Sequence, residues 1–249
     1  MWCSLNIAVL PNNNNNNNSG ELKTMFNHTL SKAGLWTLLL AALVTTHVNA
    51  AGSTDTSVKI TKNIPSLVIN HRGAPVKVQR IQDTSNKLVD DFAKTSRPCP
   101  PFCIHPMKAA NGVKTIGEVE LLEFVSNDVA NKTGVLIDAR MPKWHDSETI
   151  PGSVNLPFII FSKQGKGLNQ IFELLGAKKT KKGYNFSKAK NLALFCNGPW
   201  CDQSTRAIKG LMAAGYPAEK LFYYRGGMQM WKLFGLTTVL PKSNMVSKK

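Results

Sequence analysis

Two pairs of cysteines stand where this sequence could do chemistry. Cys196 and Cys201 lie in Leu192-Ala193-Leu194-Phe195-Cys196-Asn197-Gly198-Pro199-Trp200-Cys201-Asp202-Gln203-Ser204. The apolar run before Cys196 reads as a buried strand and the residues from Ser204 as a helix. Cys196 therefore falls at the carboxyl end of a strand, the edge where open parallel sheets bind ligands. A loop curling from there into a helix turns N–H groups inward, and the helix start adds partial positive charge; both favour a thiolate. A core cysteine is the plainer fate for a strand residue, but Cys196 stands past the strand, in a Gly-Pro loop of the kind that carries function. Cys201 reads either as a resolving thiol that attacks a disulfide on Cys196, or as half of a structural bridge, which closes only if the loop folds back. Trp200 would wall the site and exclude water. Arg206 and Arg225 would attract an anionic substrate.

The second pair, Cys99 and Cys103, sits in SRPCPPFCIHP (96–106), whose prolines forbid regular structure and predict a stiff, extended strap. Three readings stay open for it: a short disulfide, a redox partner for the Cys196 loop, or a metal site with His105. The last supplies only three ligands and has no second Cys/His pair at zinc spacing, so no metal is expected. Cys-Ile-His is not a haem attachment site. The chain has no internal repeat, no GxxxxGK phosphate loop and no paired carboxylates on one helix face.

These residues need a scaffold. The chain has 249 residues, 43% of them hydrophobic, with 31 Lys+Arg against 15 Asp+Glu and a formal charge of +16. Such a composition can bury a core and is not that of a disordered chain. The basic surplus is compatible with nucleic acid, an anionic surface or an anionic substrate. Its densest cluster, Lys178 to Lys190, has no Arg-rich recognition helix beside it and reads as a solvated loop, so no nucleic-acid partner is expected.

Residues 33–44 (AGLWTLLLAALV) are uncharged, follow Lys32 and precede small residues at Ala50 and Ala51. The stretch falls short of the about 20 apolar residues that span a bilayer, so residues 1–50 read as an upstream segment and a secretory signal cleaved after Ala50. Met25 is the expected start, which leaves Cys3 and the run Asn12 to Asn18 outside the product. The expected location is periplasmic or secreted, with no stable membrane insertion after cleavage; the rival is an uncleaved anchor. Cleavage removes only Lys23, Lys32 and Glu21 from the charge balance, so the exported part stays basic.

Residues 51–111 read as a small β-rich appendage, with His71-Arg72-Gly73-Ala74 at a hairpin turn, ending in the strap. From 112 to 241 strands alternate with helices. Gly134 to Asp138, Val154 to Leu156, Leu192 to Phe195 and Leu221 to Tyr224 are the strands, and 168–175, 204–214 and 227–234 the helices, each ended by a glycine (Gly176, Gly215, Gly235). Thr115 to Glu118 has capping-box spacing. This alternation predicts an α/β fold with a parallel sheet covered on both faces; residues 242–249 are a polar tail.

The stretch resembles the single-domain rhodaneses, or thiosulfate sulfurtransferases. Leu136-Ile137-Asp138-Ala139-Arg140 with Ile150-Pro151-Gly152-Ser153-Val154-Asn155-Leu156-Pro157 is similar to the family's first signature. Leu211 to Gly215, Arg225-Gly226-Gly227 and Trp231 are similar to its closing segment. The resemblance covers roughly 112–240 and implies a rhodanese-like five-stranded parallel sheet. It also implies a cysteine that accepts sulfane sulfur from a small anionic donor such as thiosulfate and passes it, as a persulfide, to a thiol or cyanide-like acceptor, without metal or organic cofactor. A periplasmic redox protein is a further expected partner. By this resemblance Cys196 is catalytic, and Asn197, Gly198, Trp200, Gln203, Ser204, Arg206 and Arg225 line the substrate. Asp138 and Arg140 are structural, as are Cys99 and Cys103.

The loop departs from the family's pattern of Cys, four residues, Arg and Ser or Thr. Cys201 falls at the Arg position, or, with the loop two residues longer, Gln203 does. An alternative register makes Cys201 the nucleophile with Arg206 five residues on. The signature histidine is Thr149, with His145 nearby. A phosphatase needs Arg six residues beyond its cysteine, where Asp202 or Ala207 stands; a carboxylate there repels phosphate, and Asp202 reads as a helix cap. The rival functions are a thiol-disulfide oxidoreductase using Cys196 and Cys201, and a non-catalytic rhodanese-like binding module.

Overall fold

The computed structural model describes residues 57–162 and 166–241. Strands Ser66–His71 (β1) and Ala74–Gln79 (β2) pair antiparallel across Arg72-Gly73, the turn expected from sequence. Both turn residues have positive φ, 53° and 88°, as a two-residue hairpin turn requires. Asn70 Oδ1 accepts the Gly73 N–H at 2.9 Å. Ile69 and Val78 of this hairpin, with Phe92, are buried in the same cluster as Ile116, Leu136 and Trp231.

The central sheet is built from Lys114–Ile116 (β3), Gly134–Asp138 (β4), Ser153–Asn155 (β5), Asn191–Phe195 (β8) and Leu221–Tyr224 (β9). A small antiparallel hairpin, Lys178–Thr180 (β6) and Gly183–Asn185 (β7), precedes β8. The five strands are parallel in the order β3-β9-β8-β4-β5. Alternation along each strand divides the core. Ile137, Leu192, Leu194, Leu221 and Tyr223 join one cluster, and Leu136, Ala193, Phe195 and Tyr224 the other, because successive side chains leave a strand on opposite faces. Burial on both faces is why these strands read as unbroken apolar runs.

Helices Glu118–Phe124 (α1), Pro142–Ser147 (α2), Lys166–Leu174 (α3) and Gln203–Ala213 (α4) lie between the strands of the sheet, and Gly227–Leu233 (α5) follows the last of them. The last three are followed by Gly176, Gly215 and Gly235 at φ of 87°, 92° and 65°, the left-handed stop read from the sequence. The capping box differs from expectation. Thr115 lies in β3, where its hydroxyl donates to Met107 O, and the box is made two residues on, with Gly117 N–H donating to Glu120 Oε2 at 3.0 Å. The short helix α2 was not expected; Pro142 at its first turn starts it. The lysine cluster read as a loop is the β6-β7 hairpin, and Lys178, Lys179, Lys181 and Lys182 are exposed on it.

The expected signal segment, its cleavage point, the asparagine run and the polar tail lie outside the described residues. Among the described residues no helix is long and apolar enough to cross a membrane.

Candidate functional site

β8 runs between β9 and β4 and delivers Cys196 to the carboxyl edge of the sheet's middle strand. Cys196 is 2% exposed and Cys201 6%, and the two sulfurs are joined, with 6.1 Å between Cα atoms. The loop does fold back: Cys201 N–H donates to Gly198 O at 2.9 Å.

The first turn of α5 pins this loop from the side. Met228 N–H donates to Cys196 O at 3.0 Å and Gln229 N–H to Asn197 O at 2.7 Å, which gives two orphan donors of a helix start their acceptors. Gly227 is what allows the approach. Its φ is +55°, and a Cβ there would stand 2.4 Å from Cys196 O and 2.8 Å from Gly198 N. With those carbonyls tied to α5, the amides of Asn197, Gly198, Trp200 and Asp202 donate to no acceptor among the described residues. Successive free amides in such a turn form an anion-binding concavity.

Below the loop lies a buried polar network. Arg140 and Asp138 are both fully buried, and Arg140 grips Asp138 with Nε to Oδ1 at 2.8 Å and Nη2 to Oδ2 at 2.7 Å. Arg140 also donates to Glu148 O at 2.6 Å and to Asn197 Oδ1 at 3.1 Å. Asp138 Oδ2 meets His145 Nδ1 at 3.0 Å and the Thr149 hydroxyl at 2.8 Å. Burial pushes the Asp138 carboxyl up, but hydrogen bonds from Arg140 and His145 outweigh it and hold the group below its ordinary range. Thr149, at the position of the signature histidine, and His145 nearby thus converge on one carboxylate. Asn197, read as substrate-lining, is 2% exposed and turns its side chain to Arg140, so it offers the site its backbone.

Gln203 Oε1 and Ser204 Oγ, at the start of α4, are buried and have no hydrogen-bond partner among the described residues. Asp202 occupies the cap position of α4 but its carboxylate makes no capping bond, contrary to the sequence reading; it stands 3.9 Å from Arg206. Arg206 is half exposed and lies over the Phe158 ring at 4.2 Å. Arg225 is committed to the strap, with Nη2 donating to His105 O at 2.8 Å and Nε to Pro106 O at 3.3 Å.

The strap crosses the loop. His105 N–H donates to Pro199 O at 2.9 Å, and Trp200 is held between the Phe102 ring and the Arg97 guanidinium, which lies 3.8 Å from its ring centre. Cys99 and Cys103 are joined sulfur-to-sulfur in this strap, which removes both from the three-ligand metal reading. Among the described residues no group of three or more His, Cys, Asp or Glu could hold a metal ion. A cleft of about 1330 Å³ opens beside the strap, lined by Cys99, Cys103, Pro199, Trp200, Arg97 and Arg225 among others; Cys196 and Cys201 do not line it. The sequence reading missed Phe102, Arg97 and Gln229 as supports of the loop, because each reaches it from a distant part of the chain.

Residues 121–233 match the family model described as Rhodanese-like domain. The chain carries a rhodanese-like domain. Three solved structures show what it is similar to. A human single-domain sulfurtransferase is 22% identical, with 49% of this chain and 96% of that chain covered and a TM-score of 0.34. A thiosulfate sulfurtransferase from Pseudomonas aeruginosa is 19% identical over 53% of this chain and 21% of that one, with a TM-score of 0.37. A rhodanese-related protein from Thermoplasma volcanium is 18% identical over 51% and 98%, with a TM-score of 0.33. No protein of curated function matches the chain in sequence. The rhodanese-like domain has its five-stranded parallel sheet here as expected, and its loop carries Gln203 and a second cysteine in place of the expected arginine.

Proposed function

We propose that this rhodanese-like domain is a sulfurtransferase whose carrier is Cys196. The observation that supports it is the placement of Cys196 at the end of β8, in a loop whose amides at Asn197, Gly198, Trp200 and Asp202 are free to hold an anion. In the reduced protein the Cys196 thiolate attacks the outer sulfur of a donor of the thiosulfate type. The donor's S–S bond breaks, sulfite leaves with the electron pair, and the persulfide anion rests on the free amides. A thiol or cyanide-like acceptor then attacks the outer sulfur and restores the thiolate.

Cys201 adds a second exit. Its thiolate attacks Cys196 Sγ, hydrosulfide leaves, and the Cys196–Cys201 bond forms, the two thiols supplying the electrons that reduce the sulfane sulfur. The same bond favours a second reading, a thiol-disulfide oxidoreductase that never handles sulfane sulfur. Both readings include export to the periplasm or beyond, where disulfides persist.

Intact mass measurement separates them. The full chain is reduced, desalted and incubated with thiosulfate, beside Cys196→Ser and Cys201→Ser. Gain of one sulfur in Cys201→Ser, where the hydrosulfide exit is blocked, and none in Cys196→Ser is the expected result. Loss of two hydrogens in the parent with no sulfur gained by Cys201→Ser would replace the carrier by the oxidoreductase.

A further inference from the structure

The hydrosulfide exit leaves Cys196 and Cys201 oxidised and buried, and something must return two electrons to them. Cys99, by contrast, is exposed, and with Cys103 it lines the open cleft. The two pairs are neighbours through the residues that precede their second cysteines: Phe102 touches Trp200, so Cys103 and Cys201 follow two rings in contact. His105 N–H on Pro199 O and Arg225 on His105 O and Pro106 O hold the strap in that position.

We propose that Cys99 and Cys103 are a dithiol relay that carries electrons from an external dithiol to the Cys196–Cys201 pair; the proposal rests on the carrier reading, whose hydrosulfide exit creates the need. The external dithiol attacks exposed Cys99 Sγ and Cys103 leaves as a thiolate. The donor's second thiol displaces Cys99 and departs as a disulfide, having given up two electrons and two protons. The Cys103 thiolate attacks Cys201 Sγ and expels Cys196, the better leaving group because the free loop amides hold its negative charge. Cys99 then attacks Cys103 Sγ and releases Cys201. The strap disulfide is re-formed, and the two protons and two electrons of the donor rest on Cys196 and Cys201.

The test is a time course of the oxidised full chain in dithiothreitol, quenched in acid, alkylated and mapped by peptide mass. In Cys99→Ser/Cys103→Ser the thiols of Cys196 and Cys201 are expected to appear slower than in the parent protein by about tenfold or more. In Cys99→Ser alone the last step is missing, so a Cys103–Cys201 bond accumulates with Cys196 free. Opening in the double variant at the parent's rate or faster would make the strap a mere cover and overturn the relay. Absence of the Cys103–Cys201 bond in Cys99→Ser would overturn it as well, through a variant that keeps one strap cysteine. Sulfur uptake from thiosulfate by reduced Cys201→Ser is scored separately, so a failed carrier and a failed relay give different results.

Discussion

The rings of Phe102 and Trp200 meet edge-on, 5.7 Å between centroids and 81° between planes, although 98 positions separate the two residues in sequence. Such a pair contributes about 0.5–1.5 kcal/mol beyond the area it buries. In a double-mutant cycle of Phe102→Leu and Trp200→Leu, urea unfolding is expected to show coupling of about 1 kcal/mol. Additive losses would mean that the strap and the loop do not hold one another.

Gly227 tests the loop from below. In Gly227→Ala the new methyl meets Cys196 O and Gly198 N at a φ of +55°. The expected cost is about 3 kcal/mol or more, from strain and displaced backbone together. Gly73→Ala is the control, since its φ is +88° but nothing lies within 4 Å of the added atom. Its cost is expected near 1 kcal/mol, from backbone conformation alone. Equal melting temperatures for the two variants would show that the contact of α5 with the loop is loose.

The Asp138–Arg140 pair is fully buried, so removing one partner strands the other. Asp138→Asn or Arg140→Met is expected to cost about 3–5 kcal/mol, and Asp138→Leu/Arg140→Met together much less than the sum. Because the folded protein holds the Asp138 carboxyl below its ordinary value, the stability it contributes is complete above about pH 4 and is lost as pH falls through the lower, folded value. Asp138→Asn should therefore be less stable at neutral pH, with a shallower decline in acid. An acid limb as steep as the parent's would assign acid unfolding to other carboxylates.

Lys232 ties α5 to two carboxylates, Asp90 before the strap and Glu148 after α2, and lies over the Phe92 ring at 4.9 Å. Burial pushes the ammonium down, but the two carboxylates outweigh it and raise it above its usual value. Its contribution is therefore complete below about pH 10.4 and is lost as pH rises through the higher, folded value. Asp90 is partly exposed, so Lys232→Met is expected to cost about 1 kcal/mol at neutral pH. The gap between variant and parent, followed by thermal unfolding, should close in strong alkali; a gap that persists there would make the packing on Phe92 the larger part.

The sheet could be read from Gly134-Val135-Leu136-Ile137-Asp138 and Leu192-Ala193-Leu194-Phe195 because burial on both faces writes a continuous apolar run. The helix ends were equally plain, since Gly176, Gly215 and Gly235 take a conformation that other residues resist. What stayed hidden depends on contacts between distant segments. Thr149 and His145 carry no periodic signal, and only the fold brings them to Asp138. The capping box was misplaced because Thr115 has a partner in Met107 O that spacing does not announce. The strap's prolines told of stiffness, but not that His105 and Phe102 would lie on the Cys196 loop.

β9 lies between β3 and β8, yet it is the last strand of the sheet to be synthesised. Until residues 221–224 leave the ribosome, β3 has no neighbour and one edge of β8 stays open. The C-terminal segment closes further seams, with Thr237 N–H donating to Gln79 O and Val239 bridging Thr149. Pairings between such remote segments form slowly, because loop closure is paid before contacts repay it. A nascent chain of this topology stays threadable until β9 has been made.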